Sequence, residues 1–336
     1  MSPKVSVVIP VFNRPAPVRR AIESVLAQTC QDFEIIVVDD ASTDGTPAAV
    51  EAFGDRRITL IRHERNRGGS AARNTGFRAG SAPYVAFLDS DDQWLPTKLD
   101  RQLEVFERSR DALGLVYTGV ERVFPDGSVS RHIPRRRIDL STALLTENVV
   151  GETSLGMVPR SVLDAVDGFD ESLPSCQDLD LWLRICERFS ADVVPDVLVR
   201  ISNGDDSGRI TRNVSRAFVG RELYGQKHRE KMIRRGVLHL FLRECGWRQH
   251  REARDPRRAR SFYLQSLRVN PVAPFTYMLL VAACVPISWF DQLAHGKRLV
   301  ARFLGFGPET WFAENPHRPT SKAKLLPSTP KDSAAS

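Results

Sequence analysis

YVAFLDSDDQWLP, residues 84–96, runs from an apolar stretch straight into three carboxylates, Asp89, Asp91 and Asp92. Tyr84 to Leu88 has the length and composition of a short buried strand. Like charges this close repel one another, and they stand where that strand should emerge from the core. A solvated turn is one reading, since Asp and Ser favour turns and helix N-caps. A cation site is the other, with hard oxygen ligands gathered for a divalent metal that neutralises phosphate.

Upstream, the chain alternates strand and helix patterns. Val5 to Ile9 is a short strand run ended by Pro10, and Val18, Ala21, Ile22, Val25 and Leu26 fall at helical spacing. Ile35 to Val38 is β-branched throughout, which suits a central strand covered on both faces. A third strand over 58–61, a helix over 70–79, the strand at 84–88 and a helix from about Pro96 complete the series. Alternation of this kind predicts βαβ units and an α/β, Rossmann-like, doubly wound and mostly parallel sheet. Downstream, FPDGS at 124–128 reads as a hairpin turn, 178–189 as a helix and 193–201 as a strand.

A second acidic pair, Asp39-Asp40, closes the run IIVVDD, as Asp89-Ser90-Asp91 closes YVAFL. In open α/β sheets ligands bind beyond the carboxyl ends of the strands, so both clusters and the Pro10–Asn13 turn are expected at one crevice. No GxxxxGK[ST] and no GxGxxG after the first strand is present, which disfavours P-loop and dinucleotide sites. Without a glycine cradle, phosphates need a metal at Asp89 and Asp91 together with cationic side chains. The seven histidines form no HxH or HExxH pattern, so zinc is not expected.

The bulk numbers fit a globular protein of 336 residues, 42% apolar and 26% charged. Five scattered cysteines without a CxxC pair suit a reducing compartment. MSPKVSVVIP lacks the pattern of a secretory leader, so a cytoplasmic location is expected. Residues 201–336 hold 24 of the 48 Lys+Arg but only 11 of the 41 Asp+Glu, a surplus of 13 positive charges. Basic arms attract nucleic acid, anionic lipid or phosphorylated ligands. These arginines are not interleaved with stacking aromatics, and nucleic acid is therefore not expected as a partner.

Residues 217–268 are basic and helical in pattern, and 272–290 contain no charge. Pro274 and Pro286 interrupt that apolar stretch, which disfavours a membrane span. Two readings stand ahead of a true span. One is an in-plane membrane element with Arg268, Lys297, Arg298 and Arg302 at lipid phosphates; the other is a buried helical hairpin. The tail from Pro316 is polar, Pro-rich and expected to be disordered.

VSVVIPVFNR, FEIIVVDDASTDGT, NRGGSAARNTGFRAG, YVAFLDSDDQWLP and DGFDESLPSCQDLDLWLR follow in that order over roughly residues 4–200. Together they resemble the signatures of family 2 glycosyltransferases, inverting enzymes of the GT-A fold. The resemblance implies a catalytic domain over 1–215, with a basic helical extension over 216–315 and a tail over 316–336. It implies that Asp40, with Asp39, Pro10 and Val11 beside Asn13, lines a pocket for the nucleotide base and ribose. Arg73 would sit near the nucleotide, with Asn66 and Gly68 shaping the preceding loop.

Asp89 and Asp91 would form the DXD pair for Mg²⁺ or Mn²⁺, Asp91 as direct ligand and Asp89 towards the ribose and metal-bound water. Asp178 matches the catalytic base, with Gln177 standing where many relatives carry Glu. The implied donor is a nucleotide-diphospho-sugar. The implied acceptor is a glycan or lipid-linked hydroxyl in surface polysaccharide or lipopolysaccharide synthesis, with peripheral contact to an anionic membrane.

Blander roles stand beside these. Asp178 could be a helix N-cap, Asp92 a first-turn acid of the next helix, and Asp180 and Trp182 structural. Arg209 and Arg212 could belong to a lid over the diphosphate or to a solvated loop. Rival functions are a sugar-nucleotide-binding scaffold with a dead site and a sugar-phosphate nucleotidyltransferase. IPVFNRPAP is not the glycine-rich basic loop the latter needs.

Overall fold

The computed structural model describes residues 2–109, 112–136, 139–202 and 214–284. Arg209, Arg212, Lys297, Arg298 and Arg302, together with 285–290 and 316–336, lie outside the described residues. The first half is built from β1 (Val5–Val11), α1 (Pro15–Leu26), β2 (Phe33–Asp39), α2 (Thr46–Glu51), β3 (Ile58–Arg62), α3 (Gly69–Ala79) and β4 (Tyr84–Phe87). The two-residue period of a strand sends Val5, Val7 and Ile9 to one face of the sheet. There they meet Val18, Ile22 and Val25 of α1, the apolar helix face foreseen from their spacing. Val8, Val85 and Phe87 point to the opposite face and join Phe77 of α3. Both faces are therefore covered, and each buried Val, Ile or Leu contributes about 2 kcal/mol. Gly76 lets α3 approach, because a methyl group there would overlap Val8 Cγ1.

The strands β3-β2-β1-β4 are parallel, with Val11 beside Asp39 and Val8 beside Phe87. Their carboxyl ends therefore lie along one edge. The second half adds β5 (Asp92–Trp94), α4 (Lys98–Arg108), β6 (Leu113–Val123), β7 (Val129–His132), α5 (Leu140–Leu144), β8 (Gly156–Pro159), α6 (Arg160–Ala165), α7 (Gln177–Cys186) and β9 (Ser190–Ser202). The sheet reads β3-β2-β1-β4-β8-β6-β9-β5, with β7 paired to β6 across the foreseen hairpin turn. The α/β class and the parallel N-terminal half are as expected. β8, β7 and β5 introduce antiparallel pairs in the second half.

Two details depart from the sequence reading. Asp92 does not sit in the first turn of a helix: it opens β5, which pairs with β9, and it is 4% exposed. The helix after it starts at Lys98, and its first-turn acid is Asp100. β5 also lies against α1, where Trp94 N donates to Ser24 Oγ at 3.1 Å and Gln28 Nε2 donates to Leu95 O at 2.9 Å. The last strand of the sheet thus curls back beside the first helix and brings 89–92 close to the turn after β1.

Beyond the sheet come α8 (Val214–Lys227), α9 (Arg229–Arg234), α10 (Leu238–Arg251), α11 (Pro256–Val269) and α12 (Pro274–Ala282). The first three do not form a core of their own. Tyr224, Met232, Leu238, Phe241 and Cys245 share one buried cluster with Leu179 and Trp182 of α7. Gly220 allows α8 to close on Ser175, and Tyr224 Oη donates to Leu144 O at 2.8 Å. Only α11 and α12 have a separate small cluster, around Tyr263 and Leu279.

Candidate active site

Asn13, at φ 50°, turns the chain after β1. Its N–H donates to Ser42 Oγ at 2.8 Å, and its Oδ1 accepts from Thr43 N at 2.9 Å. The Pro10–Asn13 turn is thereby tied to the loop that follows Asp39 and Asp40. Both carboxylates are buried and hydrogen-bonded within the protein. Asp39 is 0% exposed and accepts from Ser42 N at 3.1 Å and Arg62 Nε at 3.1 Å. Asp40 is 3% exposed; its Oδ1 accepts from Arg67 N at 2.9 Å and His63 Nδ1 at 2.7 Å, and its Oδ2 from Gly68 N at 2.7 Å. Because the carboxylate can only accept, His63 donates to it from Nδ1, and His63 Nε2 lies 3.0 Å from Thr75 Oγ1. These hydrogen bonds tie Asp39 to the loop 41–43 and Asp40 to the loop 63–68. Asn66 belongs to the same loop, its Nδ2 donating to Asp40 O at 3.3 Å.

Asp89 Oδ1 accepts from Arg73 Nη2 at 2.5 Å and from Thr153 Oγ1 at 3.1 Å, and its N–H donates to Ser154 Oγ at 3.1 Å. Ser154 Oγ in turn donates to Asp92 Oδ2 at 2.7 Å. Asp91 Oδ2 pairs with Arg14 Nη1 at 3.1 Å. Burial alone would raise the Asp89 pKa, but Arg73, Thr153 and Arg14 hold it below the usual carboxylate value. For Asp92 the balance is opposite: burial first, then the charges of Asp91 and Asp89, push it well above the usual range, and the Ser154 hydroxyl opposes them only in part. Arg73 also stacks 5.5 Å from the Phe169 ring, and its buried Nε has no hydrogen-bond partner among the described residues.

Asp178 is in the first turn of α7, while the N-cap position belongs to Cys176 at φ 59°. Its Oδ1 accepts from Leu179 N at 2.8 Å and its Oδ2 from Asn148 Nδ2 at 2.9 Å. Burial raises its pKa from 3.8 to about 6, with the Leu179 N–H opposing and the charge of Glu152 adding to the rise. Arg73 and Asp89 also act on it electrostatically, and Asp89 feels Arg14, the partner of Asp91. Asp89, Asp91 and Asp178 therefore belong to one continuous cluster of interacting charges.

Several members of that cluster escaped the sequence reading. Arg14, Asn148, Glu152, Thr153 and Ser154 all lie outside the acidic motifs. Glu152 is clamped by Arg122 Nη2 at 2.8 and 2.9 Å. The polar run Glu152-Thr153-Ser154 was the one local hint. Asp180 and Trp182 are structural, as foreseen: both are 0% exposed, and Trp182 Nε1 donates to Gly151 O at 3.0 Å.

Among the described residues no three His, Cys, Asp or Glu side chains form a metal cage. The Asp89/Asp91 pair offers hard oxygens beside a third carboxyl, Asp92, whose pKa is raised first by burial and then by the charges of that pair. That donor set suits a small divalent cation completed by phosphate oxygens and water.

The Glycosyl transferase family 2 model matches residues 6–165 of the chain. The Escherichia coli protein named UDP-Glc:alpha-D-GlcNAc-diphosphoundecaprenol beta-1,3-glucosyltransferase WfgD is 33% identical over 181 residues, 54% of this chain and 69% of that one. An uncharacterized glycosyltransferase of Methanocaldococcus jannaschii is 30% identical over 214 residues, 61% of this chain and 73% of that one. One from Rickettsia bellii is 33% identical over 63% of this chain, which spans only 31% of that longer protein. Among solved structures, S. aureus TarS 1-349 in complex with UDP-GlcNAc superposes with a TM-score of 0.60 at 17% identity, over 83% of this chain and 84% of that one. The mannosyltransferase PcManGT from Pyrobaculum calidifontis, in complex with GDP-Man and Mn2+, gives 0.55 at 19% identity, over 92% and 88%. At those identities the likeness is one of fold.

Proposed function

The chain belongs to glycosyl transferase family 2 and has the GT-A fold, and from that premise we propose that it is a metal-dependent, inverting enzyme. It moves a sugar from a nucleotide-diphosphate sugar to an acceptor hydroxyl. The observation that carries this reading is Asp178, a carboxylate with a pKa raised to about 6 that shares one charge cluster with Asp89 and Arg73. A general base works best with a pKa near the operating pH, and burial has moved this one towards it.

In this reading the donor diphosphate lies along Arg73 and Arg14 beyond the ends of β1 and β4. Asp91 and Asp89 would hold Mg²⁺ or Mn²⁺, which when bound would act as a Lewis acid on the departing diphosphate. Asp178 takes the proton of the acceptor hydroxyl on the opposite face of the sugar. A single in-line displacement needs one base and no covalent partner, so the anomeric centre inverts. The nucleotide-sugars in the TarS and PcManGT complexes, and the Mn2+ in the latter, support the donor class and the metal. The name of WfgD supports a lipid-linked acceptor. We place the reaction on the cytoplasmic side, in surface polysaccharide or lipopolysaccharide synthesis.

A panel of nucleotide-sugars screened for Mn²⁺-dependent binding and transfer tests the reading. Asp91→Asn should weaken donor binding in Mn²⁺. Asp178→Asn should keep donor binding and lower transfer by about a thousandfold. Undiminished turnover by Asp178→Asn would remove Asp178 as the base.

A further inference from the structure

The hairpin of α11 and α12 carries a surface that sugar transfer does not use. Its inner side is closed: Ala259, Tyr263, Leu279 and Ala282 pack together, and Arg260 Nη1 donates to Ala283 O at 2.7 Å. These contacts pair the start of α11 with the end of α12, so the helices run antiparallel and the turn at 270–273 forms a tip. The outer side is apolar. Leu264 is 46% exposed, Val269 47%, Val272 84%, Tyr277 48%, Met278 45% and Val281 67%. Val272 stands at the tip, and the spacing of Tyr277, Met278 and Val281 aligns them on one helical face.

Charge narrows the occupant. Between Pro256 and Cys284 the sequence has four arginines, Arg257, Arg258, Arg260 and Arg268, and no carboxylate. A second copy of the hairpin would bring arginines against arginines. Residues 285–336 hold seven Lys+Arg against four Asp+Glu, so that segment adds positive charge. An anionic surface that accepts apolar side chains satisfies both demands.

Among the described residues no helix is long and apolar enough to cross a membrane. The nine residues of α12 rise only about 14 Å, against a hydrocarbon core of about 30 Å. A short apolar face flanked by arginines is instead suited to the boundary between headgroups and acyl chains.

We propose that the α11–α12 hairpin docks this protein on an anionic lipid bilayer, with Val272, Tyr277, Met278 and Val281 inserted at the headgroup boundary and Arg257 and Arg268 at lipid phosphates. The inference goes beyond the transfer reading and does not depend on it.

Sedimentation of the full chain with phosphatidylcholine vesicles, with and without about a third phosphatidylglycerol, tests it. The chain should bind only the anionic vesicles and detach as salt rises. Val272→Asp and Arg268→Glu should each weaken binding roughly tenfold. Both positions are exposed, so melting temperature and transfer to a water-soluble acceptor should not change. The proposal is overturned by a wild type that ignores anionic vesicles, or by variants that bind them as the wild type does. It is equally overturned by a dimer that Val272→Asp disperses without any vesicle binding, which would assign the face to a second copy.

Discussion

Asn148 Nδ2 stands 2.9 Å from Asp178 Oδ2, and the same amide is locked by its donation to Gly151 O at 3.0 Å and its acceptance from Gly151 N at 2.9 Å. The Asn148 amide cannot turn its oxygen towards Asp178 without losing both Gly151 bonds. It therefore presents a fixed donor to the carboxylate and favours its ionised form. Asn148→Ala should raise the Asp178 pKa by roughly one unit, the size of one hydrogen bond to a charged group. In a pH–rate profile the acidic limb should move up by that amount, with donor KM little changed. An unmoved limb would mean that Asn148 shapes only the loop.

The pH dependence of the wild type follows from the same carboxyl. With its pKa raised from 3.8 to about 6, Asp178 is an ionised base only above that value, so transfer should fall as pH drops through about 6. Stability runs the other way. A carboxyl with a raised folded pKa contributes stability fully present below 3.8 and lost as pH rises through about 6. Asp178→Asn is thus expected to melt higher than wild type at pH ~7.5 and to lose that advantage towards pH ~4. The gain is reduced by one mismatch, since the new amide can accept from Asn148 or from Leu179 N but not from both. Melting curves of the two proteins across that range check the sign.

Asp40 anchors the loop 63–68 through three donors, Arg67 N, Gly68 N and His63. Asp40→Asn would set an amide N–H against one of them, and an unsatisfied buried donor costs about 1–3 kcal/mol. The expected result is a lower denaturant midpoint and faster proteolysis within 63–68. Preserved stability would show that the loop has another anchor.

Lys98 is 0% exposed, donates to Gln102 Oε1 at 2.6 Å and lies 4.0 Å from the Trp94 ring. Burial holds its pKa well below the usual lysine value. Its stability contribution is therefore fully present above the unfolded pKa and lost as pH falls towards the folded one. Lys98→Met removes the buried ammonium and should raise the melting temperature near neutral pH. The wild type should gain on the variant as pH rises towards ~10.

Asp180, 0% exposed, accepts from Arg184 Nε and His228 Nε2, each at 2.7 Å, and pairs with Lys227 Nζ at 2.9 Å. Burial opposes its ionisation, yet these partners hold its pKa far below the carboxylate range. Asp180→Ala would leave cations uncompensated between α7 and α8, at a cost of about 3–5 kcal/mol. A loss of at least ~2 kcal/mol in equilibrium unfolding is expected, together with weaker packing of α8 by hydrogen exchange.

The chain by itself determined the strand and helix series, the hairpin at 124–128 and the arrival of Asp39-Asp40 and Asp89–Asp91 at strand ends. Apolar periodicity and turn residues act over a few positions and can be read where they stand. They also announced the apolar 272–290 stretch and the excess of positive charge around it. Only the tertiary structure decided which groups meet. It turned Asp40 onto a loop, moved Asp92 from a helix start into β5, joined Arg14 to Asp91, and set Asn148 thirty residues away against Asp178. Such meetings depend on how separate loops cross the sheet edge, and hydrogen bonds between distant residues leave no periodic trace. It also left one side of α12 uncovered, because burial is a property of neighbours in space.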